Sequence, residues 1–195
     1  MSEWKTKRFW TAAEVKEEAS GFAVTLDGRS VKTPGKASLV VPTRAMAEAI
    51  AAEWDAQEDE INPLTMPVTR SATSAIEKLA PQRDAVVEAL AEYGATDRLC
   101  YRAEKPKELI ARQMEAWDPL LDWAKDTLGA ELTTTQGAMF AAQDPAALEA
   151  LQAPLKAASD FELAGLHDLI MLSGSLVIGL KARDAEMCAE VDALW

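Results

Sequence analysis

The hydrophobic period of this chain changes once along its length, and that change limits the folds open to it. Between Phe22 and Thr33 the period is two: Phe22, Val24 and Leu26 alternate with Ala23 and Thr25, and Val31 and Thr33 continue beyond Asp27-Gly28. Such alternation is the mark of a strand with one covered face. Asp-Gly between two alternating runs predicts a two-residue hairpin, because both residues tolerate positive φ. From Pro81 onward the apolar residues recur at helical steps almost throughout. The expected fold class is therefore α+β: a small β-rich N-terminal domain with a packed helix (residues 1–79), followed by a larger all-helical C-terminal domain (residues 80–195).

Within the first part, Pro34-Gly35 predicts a second turn, Ser38 to Val41 a short strand, and the acid-rich Ala12 to Ala19 an edge strand whose charges oppose edge-to-edge pairing. Pro42-Thr43 opens a helix carrying Met46, Ile50 and Trp54 on one stripe and ending in Glu58-Asp59-Glu60. Asn62-Pro63 and Met66-Pro67 favour extended backbone, so Ile61 to Pro67 is expected to be a connector before a second helix at about Thr69 to Leu79.

In the second part, Val86, Leu90 and Tyr93 form a stripe, with Gly94 expected at C′. Ile110, Met114, Trp117, Leu121 and Trp123 or Ala124 form another, interrupted by Asp118-Pro119. A proline is tolerated at the first helical position and aspartate is a good N-cap, so a kink or a fresh helix start is expected there. Asp144-Pro145 repeats the signature, and Ser159 with Glu162 matches a capping box heading an apolar helix from Phe161 to about Lys181. Ser173, Gly174, Ser175 and Gly179 are small enough for a neighbouring helix to approach closely. A last helix after Asp184 carries Met187, Val191, Leu194 and Trp195.

Composition narrows the function classes. A net charge of −12, with 10 basic and 12 acidic residues in 1–80 but 10 and 20 in 81–195, argues against nucleic acid and anionic membranes as partners. It fits either a solvated helical surface or a docking face for a basic partner. The longest uncharged apolar run, Leu169 to Leu180, is too short for membrane insertion, and Met1 to Thr11 lacks the apolar core of a signal peptide. A cytoplasmic setting is expected, with Cys100 and Cys188 as reduced, buried thiols.

Catalytic patterns are missing. His167, within an apolar helical stretch, reads as a partly buried, hydrogen-bonded histidine. Three His and Cys residues in total, widely separated, do not make a zinc set, and no GxSxG, GxxxxGK[ST] or GxGxxG occurs. No cofactor is expected. Paired carboxylates remain open as a catalytic device among 32 acids. Arg98, Arg102 and Arg112 stand beside Asp97 and Asp118 in sequence, which suits either a salt-bridge network or a docking patch with aromatic anchors. Trp54, Trp117 and Trp123 suit a core, whereas Trp4 and Trp195 near the termini suit a surface.

Four segments carry a resemblance to a known family: Arg8-Phe9-Trp10, LDGRSVKTP (residues 26–34), EWDAQEDEINPLTMPVTR (53–70) and the Tyr93–Trp123 stretch. In that order they resemble the assembly chaperones that act on the α subunit of the catalytic head of the F-type ATP synthase. In that family the chain usually continues past the position of Trp195 into another acidic, aromatic-containing segment. The resemblance implies an ATP-independent chaperone, not an enzyme. Its partner would be the unassembled α subunit, and its setting the bacterial cytoplasm or, in eukaryotic relatives, the mitochondrial matrix. Arg98, Arg102, Arg112, Trp117, Asp118 and Trp195 are the expected partner-binding residues. The alternatives are an enzyme or small-molecule-binding protein using an inter-domain cleft with Arg102, Arg112 and Asp118 as anchors, or a structural subunit of a stable complex.

Overall fold

Asp27 and Gly28, at φ 47° and 79°, turn the chain back on itself and pair Leu26 with Arg29. This is the positive-φ geometry a two-residue hairpin requires. A computed structural model describes residues 7–184, and the chain divides into two compact units at Pro81 and Gln82. In the first unit, β1 (Ala13–Glu18), β2 (Gly21–Leu26), β3 (Arg29–Ser30) and β4 (Val40–Val41) form an antiparallel sheet. The charged strand β1 pairs only with β2, in a register that sets Val15 opposite Val24.

β2 is the centre of the sheet. β1 flanks one edge along its length, while β4 and β3 share the other. Four consecutive residues, Ala23 to Leu26, are buried, so both faces are covered rather than the single face that alternation predicts. Ala23 and Thr25 are compatible with this because they are small. Helix α1 (Arg44–Asp55), capped by Thr43 accepting from the Met46 N–H, buries Ala47, Ile50 and Ala51 and packs on the sheet.

Polar contacts fix the chain after α1. The Glu53 carboxylate accepts from Val68 N (2.7 Å), Thr69 N (2.8 Å) and Thr69 Oγ1 (2.6 Å), the free donors at the start of α2 (Pro67–Ser74). It acts as an N-cap supplied from another helix, with its charge at the favourable end of the helix dipole. Pro67 is the first helical residue, not part of an extended connector, and Pro63–Thr65 is a 3₁₀ turn capped by Asn62. The buried Gln57 amide bridges Glu53 O, Thr65 Oγ1 and Asn62 N. At the C-terminal end of α1, the Arg8 guanidinium donates to Asp55 O and Gln57 O, and it lies over the Trp10 ring. Trp10 packs edge-on against Trp54 at 5.1 Å between centroids. The segments that carry the family resemblance in this unit are thus joints of the scaffold. After α2 a π-helical turn (Ala75–Leu79) leads out, and its Glu77 accepts the Gly35 N–H. A Cβ on Gly35 would stand 2.6 Å from that carboxylate oxygen.

The second unit consists of α3 (Arg83–Ala95), β5 (Tyr101–Arg102), α4 (Lys107–Leu128), β6 (Thr135–Gln136), α5 (Pro145–Ala157), α6 (Asp160–Ser173) and α7 (Leu176–Ala182). It is mostly helical, with one parallel ladder between β5 and β6 of which the helical period gives no sign. The buried stripe of α3 is Val87, Leu90 and Gly94, not Val86, Leu90 and Tyr93. Gly94 is inside the helix rather than at C′. A Cβ there would meet Leu148 and Leu151 at 3.3 Å, so its role is close packing. The expected single helix from Phe161 to Lys181 is two. Gly174 at φ 70° ends α6, and Ser175 caps α7 by accepting from Ile178 N. Where the two pack, a Cβ on Gly179 would clash with Ile170 Cγ1. The expected helix after Asp184, Trp4, Cys188 and Trp195 lie outside the described residues.

The same dipeptide behaves in two ways here. Asp144-Pro145 starts α5 as expected, but α4 runs unbroken through Asp118-Pro119. Pro119 withdraws the donor for the Glu115 carbonyl, a loss worth about 3 kcal/mol in a helix interior. Side-chain contacts on both sides of it hold the helix together. The capping box forms as expected: Ser159 N and Oγ donate to Glu162 Oε2 (2.7 and 2.8 Å), and Glu162 N donates to Ser159 Oγ.

Two outcomes test these joints. Glu53→Ala should lower unfolding stability by about 2 kcal/mol, at least as much as deleting an N-cap, read by urea denaturation. The Ser159 N–H and hydroxyl, then Arg183, hold the Glu162 carboxyl below its ordinary value of 4.5. A depressed folded value stabilises above the unfolded value and is lost as pH falls through the folded one. Glu162→Gln should therefore melt below the parent at about pH 7, with the difference closing towards about pH 3.

Candidate partner-docking surface

Arg102 is the polar centre of the aromatic-arginine stretch, and it is nine-tenths buried. Its Nε donates to Leu99 O (2.9 Å) and its Nη1 to Gln113 O (3.1 Å). Its Nη2 lies 2.7 Å from Asp118 Oδ1, an ion pair rather than an aligned hydrogen bond. The guanidinium also covers the Trp117 ring at 5.4 Å. Gln113 Oε1 in turn accepts from Ala103 N, and Arg102 O accepts from Gly137 N. One side chain thereby ties β5 and the turn before it to the middle of α4, over the turns that lead up to Pro119.

The structure brings together three of the residues named from sequence: Arg102, Trp117 and Asp118. Arg98 is exposed and belongs elsewhere: its backbone N–H donates to Gly174 O, and its guanidinium lies over Gly174 at the α6–α7 break. Arg112 is exposed on α4. Trp195 lies outside the described residues. Trp54, Trp117 and Trp123 are half-buried, with Trp123 beneath the Lys181 ammonium at 5.0 Å.

Asp97 adjoins the arginines in sequence, but it faces the other way. Fully buried, its carboxylate accepts from Leu99 N, Ser175 Oγ and Val177 N, each at 3.0 Å. It joins the chain just after α3 to the first turn of α7. Burial pushes its carboxyl above the ordinary value, against the opposing pull of these hydrogen bonds. A perturbed acid can mark a catalytic centre, but Asp97 lines none of the three hollows described below. The neighbouring Cys100 thiol is buried and pushed up to about 12, chiefly by burial and then by the Asp97 charge, which makes it a poor nucleophile. His167 is exposed rather than partly buried, with Nδ1 3.1 Å from Asp168. A turn of α6 brings it to the surface although its neighbours Leu166 and Ile170 are core. No group of three or more His, Cys, Asp or Glu among the described residues could hold a metal ion.

The surface of this unit is open and mixed. A hollow of about 270 Å³ lies between α4 and β6, lined by Arg102, Ile110, Met114, Asp118 and Thr134 to Gln136. A second of about 290 Å³ shares Asp118 and Thr134. A third, of about 630 Å³, lies along α3 and α5. Leu109, Met114, Met139, Phe140, Met171 and Leu172 are large apolar side chains left exposed. This arrangement suits contact with a macromolecule better than enclosure of a small ligand, for which burial of most of the ligand's surface is the rule. No helix among the described residues is long and apolar enough to cross a membrane.

Asp97→Asn should lower stability by about 1–3 kcal/mol, because an amide N–H₂ would then face one of three buried donors. Arg112→Ala, at an exposed site, should stay within about 0.5 kcal/mol of the parent. Chemical denaturation of both checks the assignment of Asp97 to the scaffold.

Comparison with known proteins agrees with this geometry. The chain is similar to Atp12 of Paracoccus denitrificans, with a TM-score of 0.89 and 50% identity over 92% of this chain and 77% of that one. A second solved structure, from Agrobacterium tumefaciens, has a TM-score of 0.86 and 38% identity over 95% and 73%. The mitochondrial protein atp12 of Schizosaccharomyces pombe is 28% identical over 140 residues, which is 67% of this chain and 48% of that protein. The chain thus spans about half the length of that curated relative. The family model described as ATP12 chaperone protein matches residues 7–125, from the first described residue into the second half of α4, and the chain belongs to that family.

Proposed function

We propose that this protein is an assembly chaperone of the F-type ATP synthase, which binds the unassembled α subunit of the catalytic head and keeps it from aggregating until it meets β. The observation that carries this reading is a family match covering most of the chain, joined to a helical unit whose surface is acidic and studded with exposed apolar side chains. A free α subunit exposes the interface meant for β, and such a surface invites aggregation or wrong pairing. Exposed Met114, Met139 and Met171 are flexible, polarizable contacts that adapt to an imperfect surface. A partner with better complementarity can then displace the chaperone, and that exchange needs no nucleotide.

The docking surface is assigned to the helical unit. Arg98 and Arg112, being exposed, are available for direct contact, and Trp195, proposed with them, lies outside the described residues. Arg102, Trp117 and Asp118 serve by holding α4 and its neighbours in shape. The setting is the bacterial cytoplasm, or the mitochondrial matrix for eukaryotic relatives.

Light scattering of purified α subunit diluted from denaturant tests this. Equimolar chaperone should suppress aggregation of α at least several-fold, without ATP, and leave β and an unrelated aggregating protein unprotected. Protection of all three would make it a general holdase, and protection of none would end the reading.

A further inference from the structure

The furrow along α3 and α5 has a composition unlike the other hollows of this unit. Glu88 and Glu92, one turn apart on α3, and Glu149 on α5 stand on its rim; Ala91, Ala95 and Leu148 form its floor. The floor residues are half-buried and the three glutamates exposed. None of these carboxylates is in an ion pair with a described residue, and no lysine or arginine among the described residues lines the furrow. By contrast, the hollow beside Arg102 pairs its own charges internally through Asp118. The small Ala91 and Ala95 on the floor let a third helix approach closely along the two that form it. The volume of about 630 Å³ is more than twice that beside Arg102.

We infer that this furrow is the seat of a basic amphipathic helix of the client, its apolar stripe on Ala91, Ala95 and Leu148 and its Lys or Arg residues against Glu88, Glu92 and Glu149. The inference rests on the reading of the protein as a client-binding chaperone and specifies the client segment's chemistry. Charge complementarity selects the occupant. Three like charges around an apolar strip repel one another until a cationic partner arrives, and a helix laid into an apolar groove is an established mode of recognition. A second copy of this chain is a poor occupant, since at −12 each copy repels the other.

The probe is a labelled helical peptide with a Leu/Ala stripe flanked by lysines spaced four apart, and its counterpart with glutamates in their place. Titration into the full chain, followed by amide NMR shifts and fluorescence anisotropy, should show the lysine peptide binding. The shifts should centre on Ala91, Ala95, Leu148 and Gln152, while the glutamate peptide stays unbound. The triple variant E88K/E92K/E149K should weaken binding about tenfold or more at low salt, and E88Q/E92Q/E149Q by less. A control of equal charge, E14K/E48K/E58K in the first unit, should bind as the parent does. Circular dichroism confirms that each variant is folded, and the neutral triple variant keeps the test open if the reversed one is not. Binding unchanged by either furrow variant, or shifts centred elsewhere, overturns the inference. So does self-association of the parent that disappears in the reversed variant, since that would seat a second copy there.

Aggregation of the α subunit separates the two readings. Protection lost in the reversed triple variant and kept in the control supports the furrow as the client seat. Equal protection by parent and reversed variant overturns the furrow and leaves the chaperone intact. A parent that binds the lysine peptide in the furrow yet fails to protect α sustains the furrow's chemistry and removes the chaperone reading.

Discussion

The helical unit depends on one buried carboxylate. Asp97 has no solvent exposure, and it satisfies the Leu99 N–H, the Ser175 hydroxyl and the Val177 N–H. Those groups belong to the turn that leaves α3 and to the start of α7, so the contact joins segments nearly eighty residues apart in sequence. A charge so placed is costly to desolvate, and it persists because donors surround it, two of them backbone groups. With that joint made, Leu176 and Val177 enter the core beside Leu90 and Leu151, and Arg98 is carried over Gly174. The polar chemistry of the stretch then separates into Asp97 facing inward and Arg102 facing α4.

Arg102 is the second joint of the same kind, and through it Arg102, Trp117 and Asp118 are engaged with one another within the helical unit. A guanidinium can satisfy two carbonyls, pair with a carboxylate and cover an indole at once, and Arg102 does all four. The first unit repeats the strategy. Glu53 caps a helix it does not belong to, Gln57 bridges the loop, and Arg8 closes the end of α1. What these joints leave outside is a surface of exposed methionines and open hollows.

Much of the fold is legible in the sequence because its signals are local. The Asp27-Gly28 hairpin, the Thr43 cap, the Asp144-Pro145 helix start and the Ser159–Glu162 capping box all form as expected, since each depends on residues within a few positions of one another. Most of the departures involve a partner distant in sequence. Gly94 carries the mark of a C-cap, but Leu148 and Leu151 hold it within a helix. Asp118-Pro119 carries the mark of a helix start, but Arg102 and the continuing apolar stripe carry α4 through it. Ser173-Gly174-Ser175 holds the break between two helices, yet reads as a packing stripe because the apolar period continues across it. The β5–β6 ladder joins residues more than thirty apart and leaves no periodic trace.

The sequence by itself determined the two-part α+β plan, the hairpin, most helix starts and the excess of acid in the second half. These follow from φ preferences, from free N–H groups at helix ends and from composition, none of which needs a distant partner. The tertiary structure alone decided which charged residues point inward. Asp97 and Asp118 look alike along the chain, yet one is buried against α7 while the other is half in solvent beside Arg102. It also decided that Glu88, Glu92 and Glu149 share a rim over an apolar floor. The cost of burying a charge, and the gain from gathering several around a furrow, depend on neighbours that only packing supplies.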